Sequence, residues 1–128
     1  MSTVAEKLGV KPGNHILVDG MPVEEATGLL GELPEGVAVG ARNGSPADQA
    51  ILVADGLSHL AAMLSRVWEE IATGGRLWVW YRKGAKAHDG KVPLHRDTLQ
   101  ALLAEHGMDG VTLISVDDTW SSMRVREL

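Results

Sequence analysis

AILVADGLSHLAAMLSRVWEEIATGGRLWVWY, residues 50–81, contains three consecutive elements whose order decides the fold. Ala50 to Ala54 is apolar at every position and stops at Asp55, the pattern of a strand buried on both faces. From Leu57 the apolar positions change period. Leu57, Leu60, Ala61, Leu64, Val67, Trp68 and Ile71 form one stripe, opposite Ser58, Ser65, Arg66, Glu69 and Glu70, which predicts an amphipathic helix. Gly74-Gly75 ends it, and Arg76 to Tyr81 reads as the next strand. Trp78 and Trp80 share a face of that strand, since side chains alternate. They are expected in the core; a partly uncovered tryptophan face would instead make a homodimer interface.

The same alternation extends in both directions. Thr3 to Leu8 predicts one helical turn, and His15 to Gly20 a buried strand. A helix starts at Pro22, with Glu24 and Glu25 at the positive end of its dipole, and keeps apolar spacing to Leu33. Val37 to Ala41 forms a short strand, and Asn43-Gly44-Ser45-Pro46 a loop. Beyond Tyr81, residues 82–93 form a polar loop. A helix through Leu99, Leu102 and Leu103 ends at Gly107, and Val111 to Val116 is a strand. Ser121 to Glu127 alternates Met123 and Val125 with Arg124 and Arg126, the pattern of a half-exposed edge strand. Only Asp117 to Trp120 separates the last two strands, so they should form an antiparallel hairpin. Doubly apolar strands alternating with helices predict an α/β three-layer Rossmann-like sandwich, a mainly parallel six-stranded sheet ending in that hairpin.

Composition narrows the function. At 128 residues, with neither repeat nor low-complexity linker, one domain over 1–128 is expected. A net charge of −5 disfavours nucleic acid as a partner. The absence of cysteine excludes disulfides, thiolate nucleophiles and cysteine-bound metal. No apolar run approaches the roughly 20 residues that span a bilayer, and Met1 to Lys7 lacks a secretory apolar core. A cytoplasmic location without membrane partners is the expectation. The five histidines show no His-x-x-x-His pair, so no metal is expected.

Residues 50–81 resemble the second half of a class I methyltransferase, in which a strand and an amphipathic helix lead into a Gly-Gly turn and a further strand. The resemblance implies a shortened sheet of order 2-1-3-4-6-5. More narrowly, the chain resembles a family of small bacterial proteins of uncharacterised activity. That family carries a Leu-Trp-x-x-Trp-Pro-Lys-Lys-like segment and a C-terminal Val-Asp-x-x-Trp-Ser segment. Leu77 to Gly84 matches the first without its proline and second lysine; Val116 to Arg124 matches the second more closely.

The methyltransferase resemblance implies S-adenosylmethionine as cofactor. That fold needs glycines after strand one, for close approach of backbone amides, and usually an acid after strand two for the ribose; dinucleotide sites follow the same logic. Here Asp19-Gly20-Met21-Pro22 offers one glycine and then a ring without an amide donor, and Ala41 to Gly44 offers no acid. The cofactor is therefore disfavoured. The expected function is a non-catalytic methyltransferase-like module that binds a protein partner or small ligand. A methyltransferase with an atypical cofactor loop, and an anionic-metabolite binder using the basic 82–96 segment, are the alternatives.

In such sheets ligands lie beyond the carboxyl ends of the strands. Asp19, Gly20 and Asp55 are candidates there, as are Lys83, Lys86 and Arg96, whose charges suit phosphate or carboxylate. Asp117, Asp118, Trp120 and Ser121 form a second candidate group in the family-like turn, although aspartates in tight turns commonly bond backbone amides. No Gly-x-Ser-x-Gly elbow or phosphate loop is present, and no catalytic residue is assigned.

Overall fold

The computed structural model describes residues 3–41, 45–54, 57–83 and 96–128. In chain order the elements are α1 (Val4–Lys7), β1 (His15–Asp19), α2 (Val23–Leu30), β2 (Ala38–Gly40), β3 (Ala47–Val53), α3 (Leu57–Leu64), a 3-10 turn (Val67–Glu70), β4 (Ile71–Arg82), α4 (Arg96–Glu105), β5 (Met108–Ser115) and β6 (Trp120–Glu127). The strands form one sheet of order β2-β1-β3-β4-β6-β5. β2, β1, β3 and β4 run parallel, and β6 is antiparallel to both β4 and β5. This is the methyltransferase-like Rossmann arrangement that residues 50–81 suggested.

Two apolar layers hold the sheet. On one face Leu17, Leu52, Leu77, Val79, Met123 and Val125 pack with Leu60 and Leu64 of α3 and Leu99 and Leu103 of α4. On the other, Ile16, Val18, Ile51, Val53, Trp78 and Trp80 pack with Ala5 and Leu8 at α1 and Ala26 and Leu30 of α2. Both strand tryptophans are core, and Trp78 Nε1 donates to the buried Gln49 Oε1 at 2.7 Å. Capping follows local chemistry. Thr3 Oγ1 accepts from the Glu6 amide at 3.2 Å to start α1, and Gly31 closes α2 at φ +81°, open to a residue without Cβ.

The structure departs from the sequence pattern at three places. The helix expected to reach Ile71 ends at Leu64, because the parallel ladder captures Ile71 opposite Ala47. Arg76 then pairs with Gln49, so Ala72 to Gly75 stand against Asp48 alone and bulge out of the strand. The α2 helix stops at Leu30, short of Leu33. Finally, β6 is an interior strand, and β5 is the edge. Its alternating pattern arises because Arg124 and Arg126 share the face of Trp78 near the foot of the sheet, while Met123 and Val125 are buried under α4.

Trp80 and Ser122 face each other across β4 and β6, and both Trp80 Nε1 and Ser122 Oγ are buried without a hydrogen-bond partner. A buried hydroxyl without a partner costs stability, so its removal is cheap. Ser122→Ala should leave the unfolding free energy within about 0.5 kcal/mol of the parent or raise it. Urea denaturation checks this, and a loss beyond about 1 kcal/mol would reveal a bond to the hydroxyl.

Candidate functional site

The carboxyl end of β1 lies beside that of β3, where Asp19 pairs with Leu52. Asp19 is half-buried and engaged in an interaction of its own. Gly20 follows at φ +99°, and a Cβ built there would collide with the Val53 carbonyl oxygen. Its missing side chain thus serves the close passage of two protein segments. Only Met21 and Pro22 intervene before α2, and Pro22 brings neither an amide donor nor a side-chain cap. Glu24 and Glu25 already place negative charge at the positive end of α2. Beyond β2 the described chain reaches Ala41 without an acid. These residues do not fit an adenosyl cofactor held in the manner of the fold. Asp55 lies outside the described residues. Gly20→Ala combines a strained φ with the collision and should cost about 2–4 kcal/mol, measured by chemical denaturation.

A second group collects at the carboxyl end of β4. Tyr81, Ser121 and Ser115 are successive cross-strand partners on β4, β6 and β5. Lys83 Nζ donates to Ser115 Oγ at 2.5 Å, and the Lys83 amide continues the β4–β6 ladder to the Thr119 carbonyl at 2.8 Å. Arg96, the first residue of α4, acts electrostatically on Tyr81, and Ser121 hydrogen-bonds the phenol. One candidate cation and one candidate turn residue, far apart in sequence, thereby meet at a buried tyrosine, while Lys83 joins the same row of strand partners through Ser115. Sequence reasoning missed Tyr81, which ends an apolar strand and reads there as core. The one available signal was its position at the strand's carboxyl end. Arg82 points the other way, with its guanidinium 4.7 Å above the Trp120 ring, a cation–π contact. Lys86 lies outside the described residues.

The hairpin turn is built locally. Asp117 Oδ1 accepts from the amides of Thr119 and Trp120, both at 2.8 Å, while Asp118 is exposed. Trp120 is buried at the start of β6 and joins the layer of Trp78 and Trp80. His15 and His106 bond to backbone carbonyls at 3.3 and 3.1 Å, and His59 is exposed on α3. Among the described residues no group of histidines and carboxylates could hold a metal ion.

Burial raises the Tyr81 pKa above 10.0, with Arg96 and then Ser121 opposing the shift. The neutral phenol is favoured in the fold. Its contribution to stability is therefore complete below the unfolded value and is lost as pH rises through the folded one. Tyr81 is the only tyrosine in the chain, so tyrosinate absorbance reports it alone. Titration should give a pKa above that of a free tyrosine, and Arg96→Gln should raise it further; an unchanged value in the variant would separate Arg96 from Tyr81.

A scan against protein-family models finds no match, and a search of curated proteins finds none. Solved structures do resemble the chain. LepI in complex with SAM is 16% identical with a TM-score of 0.58, over 97% of this chain and 39% of that one. The O-methyltransferase NcsB1 from neocarzinostatin biosynthesis, with S-adenosylmethionine and 2-hydroxy-5-methyl naphthoic acid, is 19% identical with a TM-score of 0.59, over 91% of this chain and 49% of that one. The Burkholderia thailandensis 1,6-didemethyltoxoflavin-N1-methyltransferase, with S-adenosylhomocysteine, is 17% identical with a TM-score of 0.59, over 97% of this chain and 74% of that one. The chain has a methyltransferase-like fold, and it spans about two fifths of LepI and half of NcsB1. No helix among the described residues is long and apolar enough to cross a membrane.

Proposed function

We propose that the chain is a non-catalytic methyltransferase-like module that binds a small anionic ligand at the carboxyl end of β4. The carrying observation is the close passage of Gly20 by the Val53 carbonyl, which gives the one glycine of the β1 loop a role in joining β1 to β3. Lys83 and Arg96, with the hydroxyls of Tyr81, Ser115 and Ser121 beside them, supply charge-assisted and neutral donors for a carboxylate or phosphate. The kinship with the small bacterial family is part of the same reading, since its C-terminal segment supplies both Ser121 and the Asp117 turn that sets β6. So is a cytoplasmic setting, in keeping with a chain that has no cysteine.

One observation favours a second reading. Solved structures with this fold hold S-adenosylmethionine or S-adenosylhomocysteine, which supports a methyltransferase with an atypical cofactor loop. Calorimetric titration of the purified chain with both adenosyl compounds and with common nucleotides separates the two. Under the leading reading neither adenosyl compound binds at micromolar concentration; micromolar binding of either one overturns it in favour of the enzyme. For whichever anion binds, Lys83→Ala and Arg96→Ala should each weaken affinity about tenfold without lowering the melting temperature. Unaltered affinity in both variants would remove the β4 site.

A further inference from the structure

At the opposite end of the sheet, β4 and β6 part company. Their last pair is Leu77 with Val125, and below it the Ala72–Gly75 bulge follows β3 while β6 continues with β5 as far as Met108. A cleft of about 450 Å³ opens between them, a size that suits a small ligand. Arg76, Arg124 and Arg126 line it, with Glu127 as the one carboxylate of the lining. Arg124 is the cross-strand partner of Trp78, so strand alternation gives all three arginines the same face. Had the ladder run one pair further, Arg76 would stand directly opposite Arg126, a like-charge pairing that destabilises a sheet.

The charge there is incompletely neutralised within the protein. Arg126 pairs with Asp109 at 3.3 Å, both side chains being well exposed, which makes the pair weak. Arg76 Nη1 donates to a neutral acceptor, the Leu8 carbonyl, at 3.2 Å. The Arg124 side chain has no hydrogen-bond or ion-pair partner among the described residues. Trp68 forms part of the wall, and its indole N–H is buried without a partner. Gly74, at φ +81°, leaves open space where a side chain would stand.

We propose that this cleft binds a compact, multiply charged small anion of the phosphate class, held by the forks of Arg76 and Arg124 with Trp68 beside it. Guanidinium groups match phosphate oxygens two at a time, and an anion there offsets the positive charge that Arg76, Arg124 and Arg126 bring together. The site is separate from the Tyr81 group, which occupies the far end of β4.

Calorimetry and indole N–H NMR on the full chain, at matched ionic strength, test it with pyrophosphate and with citrate. Pyrophosphate should bind saturably and shift one indole resonance, identified as Trp68 by its loss in Trp68→Phe. Arg124→Gln should weaken binding about tenfold, whereas Lys83→Ala should leave it unchanged. Citrate binding with the same Arg124 dependence would support the site and widen its ligand class to carboxylates. Absence of saturable binding by either anion, or unchanged affinity in Arg124→Gln, would overturn the proposal whatever the outcome at Lys83 and Arg96.

Discussion

Every part of this protein is placed by the burial of β3 on both faces. Ala47, Gln49, Ala50, Ile51, Leu52 and Val53 are all shut off from water, so no backbone group there can rely on solvent. β1 and β4 must pair with it along either side, and helices must cover it above and below. Its neighbours bring their own loops to its two ends. The Asp19–Pro22 turn arrives against the Val53 carbonyl at the carboxyl end, and the Ala72–Gly75 bulge arrives against Asp48 at the amino end. The turn at Asp19–Pro22 and the bulge at Ala72–Gly75 are both consequences of how a neighbouring segment meets β3.

At the carboxyl end the meeting is tight. The fold uses the glycine after its first strand to bring β1 and β3 together, and the ring of Pro22 then opens α2 without an amide to spare. In a methyltransferase-like sheet this is the end where a cofactor would be held, and here the Cβ side of Gly20 is closed by the Val53 carbonyl. Polar groups gather instead two strands away, about 10 Å across the sheet, where β4, β6 and β5 bring Tyr81, Ser121 and Ser115 into line.

At the amino end the meeting is loose. Four residues of β4 stand where β3 has one, so the strand bulges and cannot keep pairing with β6. Bulges often re-aim side chains beside functional sites. Here the bulge leaves three arginines around a cleft with one weak carboxylate pairing among them.

The sequence by itself determined the strand and helix alternation, the core identity of Trp78 and Trp80, and the poverty of the Asp19–Pro22 turn. These are local matters of period, side-chain volume and missing amide donors, readable within one segment. Resemblance supplied the sheet order. Only the tertiary structure decided where α3 ends, since the ladder opposite Ala47 outweighs a helical stripe that would have carried Ile71. That sheet order already set β6 inside the sheet, whereas its alternating pattern alone reads as an edge, because strand alternation cannot tell a polar face turned to water from one turned to a cleft of like charges. The meeting of Tyr81 with Ser121, and of Lys83 with Ser115, was equally hidden. Their contact depends on strand register between segments distant in the chain, and register is fixed by the core that those segments share.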